Sequence, residues 1–144
     1  MEYRVELPLN VPAERAWAQL ADLPSWPRWT PTVESIDSAT ARPEVGTAVT
    51  IKQPGRSPAH YRIDLVEDGR RFRWGSNRGG VRQAADHVVQ PTSTTACTVI
   101  LTFTMDGPLG RVLGALGASK IRSMVDTEAR ALSAAVTPEQ TTAG

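Results

Sequence analysis

The sequence predicts an α+β domain in which a curled antiparallel sheet of about six or seven strands wraps a long C-terminal helix, with two short helices after the first strand. Three observations predict it. From Val33 to Met105 apolar residues recur mainly at every second position, the pattern of strands with one buried face. The stretch from Ile121 to Val136 lacks Pro and Gly and is rich in Ala, Arg, Glu and Leu, a helical composition. An antiparallel sheet with one apolar face needs a cover, and this helix, about 24 Å long, is the only element long enough to supply it.

At the start, Tyr3, Val5 and Leu7 alternate with Glu2, Arg4 and Glu6, which describes a strand. Asn10 offers a capping oxygen and Pro12 suits a first helical turn, so a helix is expected to about Asp22, burying Ala13, Ala16, Trp17 and Leu20. Pro24 and Pro27 restrict LPSWPRWTP to a short helix or turn. Trp26 and Trp29 lie three apart on one face of it and, with Trp17, are expected to close one end of the domain by packing.

Strands follow over VESIDSAT, GTAVTIKQ, HYRIDLVE and RRFRW, the last two joined by the turn Glu67-Asp68-Gly69. Their inward sets read Val49 and Ile51, then Tyr61, Ile63 and Leu65, then Phe72 and Trp74. A second hairpin pairs AADHVVQ with ACTVILTFTM across PTSTT, with Ala85, His87 and Val89 facing Val99, Leu101, Phe103 and Met105. The loops around Gly55 and Gly79-Gly80 concentrate Gly, Pro and Ser and are expected to be mobile.

GPLGRVLGALG places Leu109, Val112, Leu113 and Leu116 on a helical face rotated by roughly 100° from the stripe of the later helix. One straight helix cannot bury both. A turn or short helix over 108–116, closing the open end of the sheet, is expected before a break near Gly117; a continuous curved helix is the other possibility. Beyond it, Ile121, Met124, Val125, Leu132 and Ala135 form the apolar stripe, opposite Arg122, Asp126, Arg130 and Ser133. Glu128 projects near the middle of that stripe.

A chain of 144 residues makes one domain, expected over residues 1–136 with 137–144 as a flexible tail. Sixteen basic and fifteen acidic residues nearly cancel, so charge does not argue for nucleic acid or an anionic membrane. The cluster Arg70, Arg71, Arg73, Arg78 and Arg82 lacks aromatic partners for base stacking and reads as a solvated hairpin edge. No stretch approaches the roughly 20 apolar residues of a membrane span, and MEYRVELPLN lacks the features of a secretory signal, so a cytoplasmic location is the expectation. Cys97 stands alone, which excludes an internal disulfide and argues against a metal site. GSNRGG lacks the ending of a phosphate loop, and GxSxG, HExxH and CxxC do not occur, so neither a metal nor a cofactor is expected.

The layout resembles the helix-grip fold of the START/Bet v 1-like (SRPBCC) superfamily, particularly its polyketide cyclase/dehydrase and lipid-transport group. VPAERAWAQLADLPSWPRWTP, VVQPTSTTACTV and DGPLGRVLG carry the resemblance, in that order, over nearly the whole chain. It implies an apolar cavity between sheet and helix that takes sterols, lipids, polyketides or plant hydrophobes, and in some members cyclises and dehydrates aromatic precursors. Cyclases of the tetracenomycin type use a cavity arginine; here Arg62, Arg71 and Arg73 alternate outward.

Two inward polar groups are candidate catalysts. His87 is either a proton carrier near neutral pH or a core histidine bonded to a backbone carbonyl or a water. Glu128 is either a carboxyl with raised pKa acting as acid or base, or a side chain that reaches Arg62, Lys120 or solvent. The expected ligand-binding set joins these two to Val49, Ile51, Tyr61, Ile63, Phe72, Trp74, Val89, Leu101, Phe103, Ile121, Met124 and Val125. Three functions fit: binding of a hydrophobic or aromatic small molecule, an acid/base enzyme of the cyclase/dehydrase type, or a protein-interaction module presenting an exposed apolar patch. A cavity under about 300 Å³ would weigh against the first two.

Overall fold

A computed structural model describes residues 1–138; of the tail expected over 137–144, residues 139–144 lie outside the described part. Seven strands form one antiparallel sheet: β1 (Glu2–Leu9), β2 (Ser35–Ser38), β3 (Ala48–Lys52), β4 (Ala59–Glu67), β5 (Arg71–Arg78), β6 (Val81–Pro91) and β7 (Cys97–Asp106). Their spatial order is β1-β7-β6-β5-β4-β3-β2. The chain thus runs as a meander from β2 to β7, and β1 closes on β7 with Tyr3 opposite Phe103 and Val5 opposite Leu101.

Helix α1 (Ala13–Leu20) buries Ala13, Ala16, Trp17 and Leu20 as the spacing predicts. Its start differs from expectation: no side chain caps it, and the Pro12 carbonyl accepts the Arg15 N–H instead of Asn10 supplying an oxygen. A 3₁₀ turn (Leu23–Ser25) and the single-turn helix α2 (Trp26–Trp29) follow. Trp26 and Trp29 pack with ring centroids 4.9 Å apart and planes tilted by 58°, and Trp26 Nε1 donates to the Leu20 carbonyl at 2.9 Å.

The strands depart from the expected reading at two places, one a shift of phase and one a turn. Between Ile63 and Leu65 the β4–β5 register slips: Ile63 pairs with Trp74, but Leu65 pairs with Arg73 and Val66 with Phe72. This bulge turns Leu65 off the inner face, and Val66 packs against the core in its place. The supposed mobile loop at GSNRGG is a tight hairpin. β5 continues to Arg78, pairs with Val81, and turns through Gly79 and Gly80, whose φ of 61° and 78° suit a two-residue turn of primed type.

Beyond β7 the chain forms α3 (Gly110–Leu116) and α4 (Ala118–Val136), separated at Gly117 (φ −96°, ψ 7°), so the break falls where the change of apolar phase places it. The packing of α3 is the reverse of the expected cap. Its buried positions are Gly110 and Gly114, against Met105, Val81 and Met1, while Leu109, Val112, Leu113 and Leu116 are exposed. Small residues let this helix lie close to the β6–β7 hairpin, and that approach turns the leucines outward. In α4 the buried row is Ile121, Val125, Ala129, Leu132 and Val136. Met124 and Glu128 form the neighbouring i, i+4 row at the flank of the buried face, not its centre.

Gly107 (φ +89°) seats α3. It lies so close to Gly80 that a Cβ would stand 2.5 Å from the Gly80 carbonyl oxygen, which accepts the Leu109 and Gly110 N–H groups at 3.0 and 3.2 Å. Gly107→Ala combines an unfavourable backbone with a backbone clash. It is expected to lower the stability measured by urea unfolding by about 2 kcal/mol or more. A loss under about 0.5 kcal/mol, the range of an ordinary surface substitution, would contradict this role.

Candidate functional site

A chamber of about 190 Å³ lies between the inner face of the sheet and α4. Ten of the predicted residues line it. The sheet brings Ile51, Tyr61, Trp74, His87, Leu101 and Phe103; α4 brings Ile121, Met124, Val125 and Glu128. Both polar candidates therefore border one space. Val49, Ile63, Phe72 and Val89 do not line it: they share the inner face but are sealed in the core, at most 1% exposed. Phe72 shows the reason at one end of the sheet, where Trp17 of α1 packs edge-on to it at 5.8 Å and fills the space above the strands. Alternation places a residue on a face; the helices above decide whether that face is packed or open.

His87 is 2% exposed and set among aromatic rings, stacked on Phe72 at 4.3 Å and edge-on to Trp74 at 4.8 Å and Trp26 at 5.4 Å. Its Nδ1 donates to the Phe72 carbonyl at 3.2 Å; a carbonyl only accepts, so Nε2 carries the lone pair. Burial depresses its pKa to about 4, against smaller opposing effects of the Phe72 bond and the Asp86 charge. At neutral pH this ring is uncharged and a hydrogen-bond acceptor. The carbonyl-bonded core histidine and the chamber-lining histidine are the same residue.

Glu128 behaves in the opposite way. Burial alone raises its carboxyl to about 7, and neither a hydrogen bond nor a charge offsets that burial. Neither Arg62 nor Lys120 reaches it: Arg62 donates to the Gly46 carbonyl at 2.6 Å on the outer face. Among the described residues the one buried side-chain donor or acceptor sealed without a partner is Trp29 Nε1. The Glu128 oxygens thus keep some accessible surface, which the chamber provides, although protein surrounds the group. Tyr61 adds a third polar group; its hydroxyl donates to Gln83 Oε1 at 3.3 Å, and burial raises its pKa while the nearby Arg56 charge pulls it back.

Several lining residues lay outside the predicted set. Trp26, assigned to packing, also borders the chamber, as do Gln53, Arg56, Ala59, Gln83, Ala85 and Met105. Gln83 was legible in principle, two residues before Ala85 on the same face of β6, but it fell in the stretch read as loop. Gln53 ends the strand read over GTAVTIKQ, on the same side as Val49 and Ile51, whereas Arg56 sits in PGRSP, where no periodicity states which way a side chain points. The outward arginines are accounted for by Arg71 forked on Asp86 (2.9 and 2.7 Å) and Arg73 on Asp64 (2.8 Å). Among the described residues no three His, Cys, Asp or Glu side chains gather as metal ligands, and no helix is long and apolar enough to cross a membrane.

An antiparallel sheet holding a long C-terminal helix over a partly apolar chamber is the helix-grip architecture. The sequence pattern of the family described as Polyketide cyclase / dehydrase and lipid transport matches residues 2–137, and the chain belongs to that family, within the START/Bet v 1-like superfamily. Its members bind hydrophobic ligands or act as cyclases. Solved structures similar in fold include truncated norcoclaurine synthase from Thalictrum flavum (TM-score 0.76, 16% identity, 97% of this chain and 95% of that one). A START superfamily protein from Mycobacterium smegmatis matches with TM-score 0.72 and 14% identity over 94% and 96%. The di-domain ARO/CYC BexL of the BE-7585A biosynthetic pathway matches with TM-score 0.70 and 18% identity; 96% of this chain spans 48% of that protein. No curated protein matches the chain in sequence.

The state of Glu128 can be checked through stability. Its folded pKa, about 7, stands above the ordinary 4.5, so the unfolded chain ionises first as pH rises. Stability is therefore lost between about pH 4.5 and 7. Glu128→Gln removes this loss and is expected to exceed wild type by about 1–3 kcal/mol at pH 8 while matching it near pH 4.5. Equal unfolding midpoints for the two proteins at pH 8 would contradict a carboxyl held off from water.

Proposed function

We propose that the protein binds a small hydrophobic or aromatic molecule in the chamber between the sheet and α4. The observation that carries this reading is the Glu128 carboxyl, which faces open space among Leu101, Phe103, Ile121 and Val125 with no protein partner. A carboxyl in that position costs stability unless something other than protein uses it. Size narrows the ligand. At 190 Å³ the chamber falls below the 300 Å³ mark, which counts against binding or turnover of a large ligand, but above the roughly 150 Å³ that admits a benzene ring. One ring, or two fused rings, matches it; a complete lipid or polyketide chain does not fit inside. Burial of apolar surface would supply most of the affinity, at about 25 cal/mol per Å² before the entropic costs of association. A ligand hydroxyl finds an acceptor in His87 Nε2 and, below about pH 7, a donor in Glu128.

The test uses 2-naphthol, followed by quenching of the lining tryptophans Trp26 and Trp74. Saturable one-to-one binding is expected, and Ala85→Leu, which fills the chamber from β6, should weaken it at least tenfold. Affinity should fall as pH rises through 7, because an apolar ligand beside Glu128 opposes its ionisation; Glu128→Gln should remove that fall. The other titratable groups at the chamber do not mimic this effect: His87 titrates near 4, Tyr61 is raised above its ordinary 10.0, and Asp86 is paired with Arg71. Binding that is unaffected by Ala85→Leu would place the ligand elsewhere and defeat the proposal.

A second reading, acid/base catalysis of the cyclase/dehydrase type, is favoured by one observation: a carboxyl near 7 is suited to exchange protons at neutral pH. His87, at about 4, would then accept a hydrogen bond or position the substrate instead of carrying the proton. If the natural ligand leaves the wild-type protein chemically unchanged, and Glu128→Gln and His87→Ala alter only its affinity, this reading fails.

A further inference from the structure

Outside the chamber, an open groove of about 360 Å³ runs between α4 and the loop after β3. The two spaces share three residues, Gln53, Arg56 and Met124, and are divided where Gln53 Nε2 donates to Met124 Sδ at 2.8 Å. A thioether is a weak acceptor and the methionine side chain is adaptable, so this partition gives way at little cost. Joined, the two spaces pass the volume at which drug-sized ligands are usually held. Their chemistry differs sharply. The chamber is largely walled by apolar and aromatic side chains and includes the Glu128 carboxyl, whereas the groove carries Arg56, Lys120 and the Ser123 hydroxyl and no carboxylate among its lining residues. Neither Arg56 nor Lys120 forms an ion pair among the described residues, whose salt bridges engage Arg4, Lys52, Arg71, Arg73 and the N-terminus. Arg56 also lines the chamber, and its charge is felt at the Tyr61 hydroxyl, so this exposed cation stands at the mouth of the chamber.

We propose that chamber and groove form one binding site for an amphiphile, with an apolar ring held inside and an anionic group, carboxylate or phosphate, held at the mouth by Arg56 and Lys120. This rests on the chamber being a ligand site and adds the orientation and charge of the ligand. The reverse orientation is disfavoured because it brings a second anion beside Glu128 in a poorly solvated space. Displacing Gln53 from Met124 is the step that lets the ligand span both compartments.

A matched pair of probes tests it: 4-(naphthalen-2-yl)butanoate and its neutral primary amide, equal in shape and differing in charge, with 4-(naphthalen-2-yl)butyl phosphate as a third arm. Calorimetry at low ionic strength should show the carboxylate binding about three- to tenfold more tightly than the amide, the scale of two solvent-exposed ion pairs, with the difference shrinking in added salt. In Arg56→Gln/Lys120→Gln the carboxylate should lose its preference over the amide; both side chains are exposed, so folding is not at stake. A phosphate tighter than the carboxylate assigns the head group to a phosphate ester, and the converse to a carboxylic acid; each upholds an anion site. Equal affinity for carboxylate and amide in wild type overturns the anion site and leaves the chamber intact, as does a double variant that weakens both alike. Failure of all three probes together with 2-naphthol overturns the chamber as well.

Discussion

One constraint organises the molecule: a sheet with a single apolar face must be covered, and among the described residues α4 is the only helix long enough to cover it. It packs on β1 and β7 and is tied there by Tyr3, whose hydroxyl donates to Asp126 at 2.7 Å. Helix α1 and the Trp17–Phe72 contact fill the other end. Between these two covers the strands present Ala59 and Ala85, and the facing row of α4 presents Met124 and Glu128. Small residues on one side and a polar residue on the other leave the gap that becomes the chamber. The site is where two otherwise complete packing arrangements fail to meet.

That gap explains why two inward polar residues reach opposite ionisation states. His87 is packed by three rings and bonded to a carbonyl, so burial keeps it neutral by lowering its pKa. Glu128 is enclosed without a partner, and burial keeps it neutral below about 7 by raising its pKa. Both are consequences of desolvation acting on charges of opposite sign. Together they leave the inner part of the chamber without charge on either residue below about pH 7, with Arg56 at its mouth.

Much of the fold was legible because strand alternation is a local property. Tyr3, Val5 and Leu7, or Val99, Leu101 and Phe103, declare their face without reference to the rest of the chain. The misreadings come from places where the period is interrupted. The bulge at Asp64 exchanges Leu65 for Val66, and the tight turn at Gly79-Gly80 hides Gln83 in an apparent loop. For the site the difficulty is different. Val49, Ile63, Phe72 and Val89 obey the same alternation as Ile51, Tyr61, Trp74 and His87, yet the first four are core and the second four border open space. That distinction depends on where helices cross the sheet, which is tertiary information. The glycine face of α3 is a similar case: apolar spacing marked the leucines as buried, whereas close approach through Gly110 and Gly114 left them in solvent.

The molecule therefore offers two apolar surfaces, the chamber and the outer face of α3, and the proposed small ligand belongs to the first. Methyl-labelled NMR with bound 2-naphthol distinguishes them directly. Intermolecular nuclear Overhauser effects from the ligand to the methyl groups of Ile51, Leu101, Ile121 and Val125 are the predicted result. Effects confined to Leu109, Val112, Leu113 and Leu116 would contradict it and point to a surface built for another macromolecule.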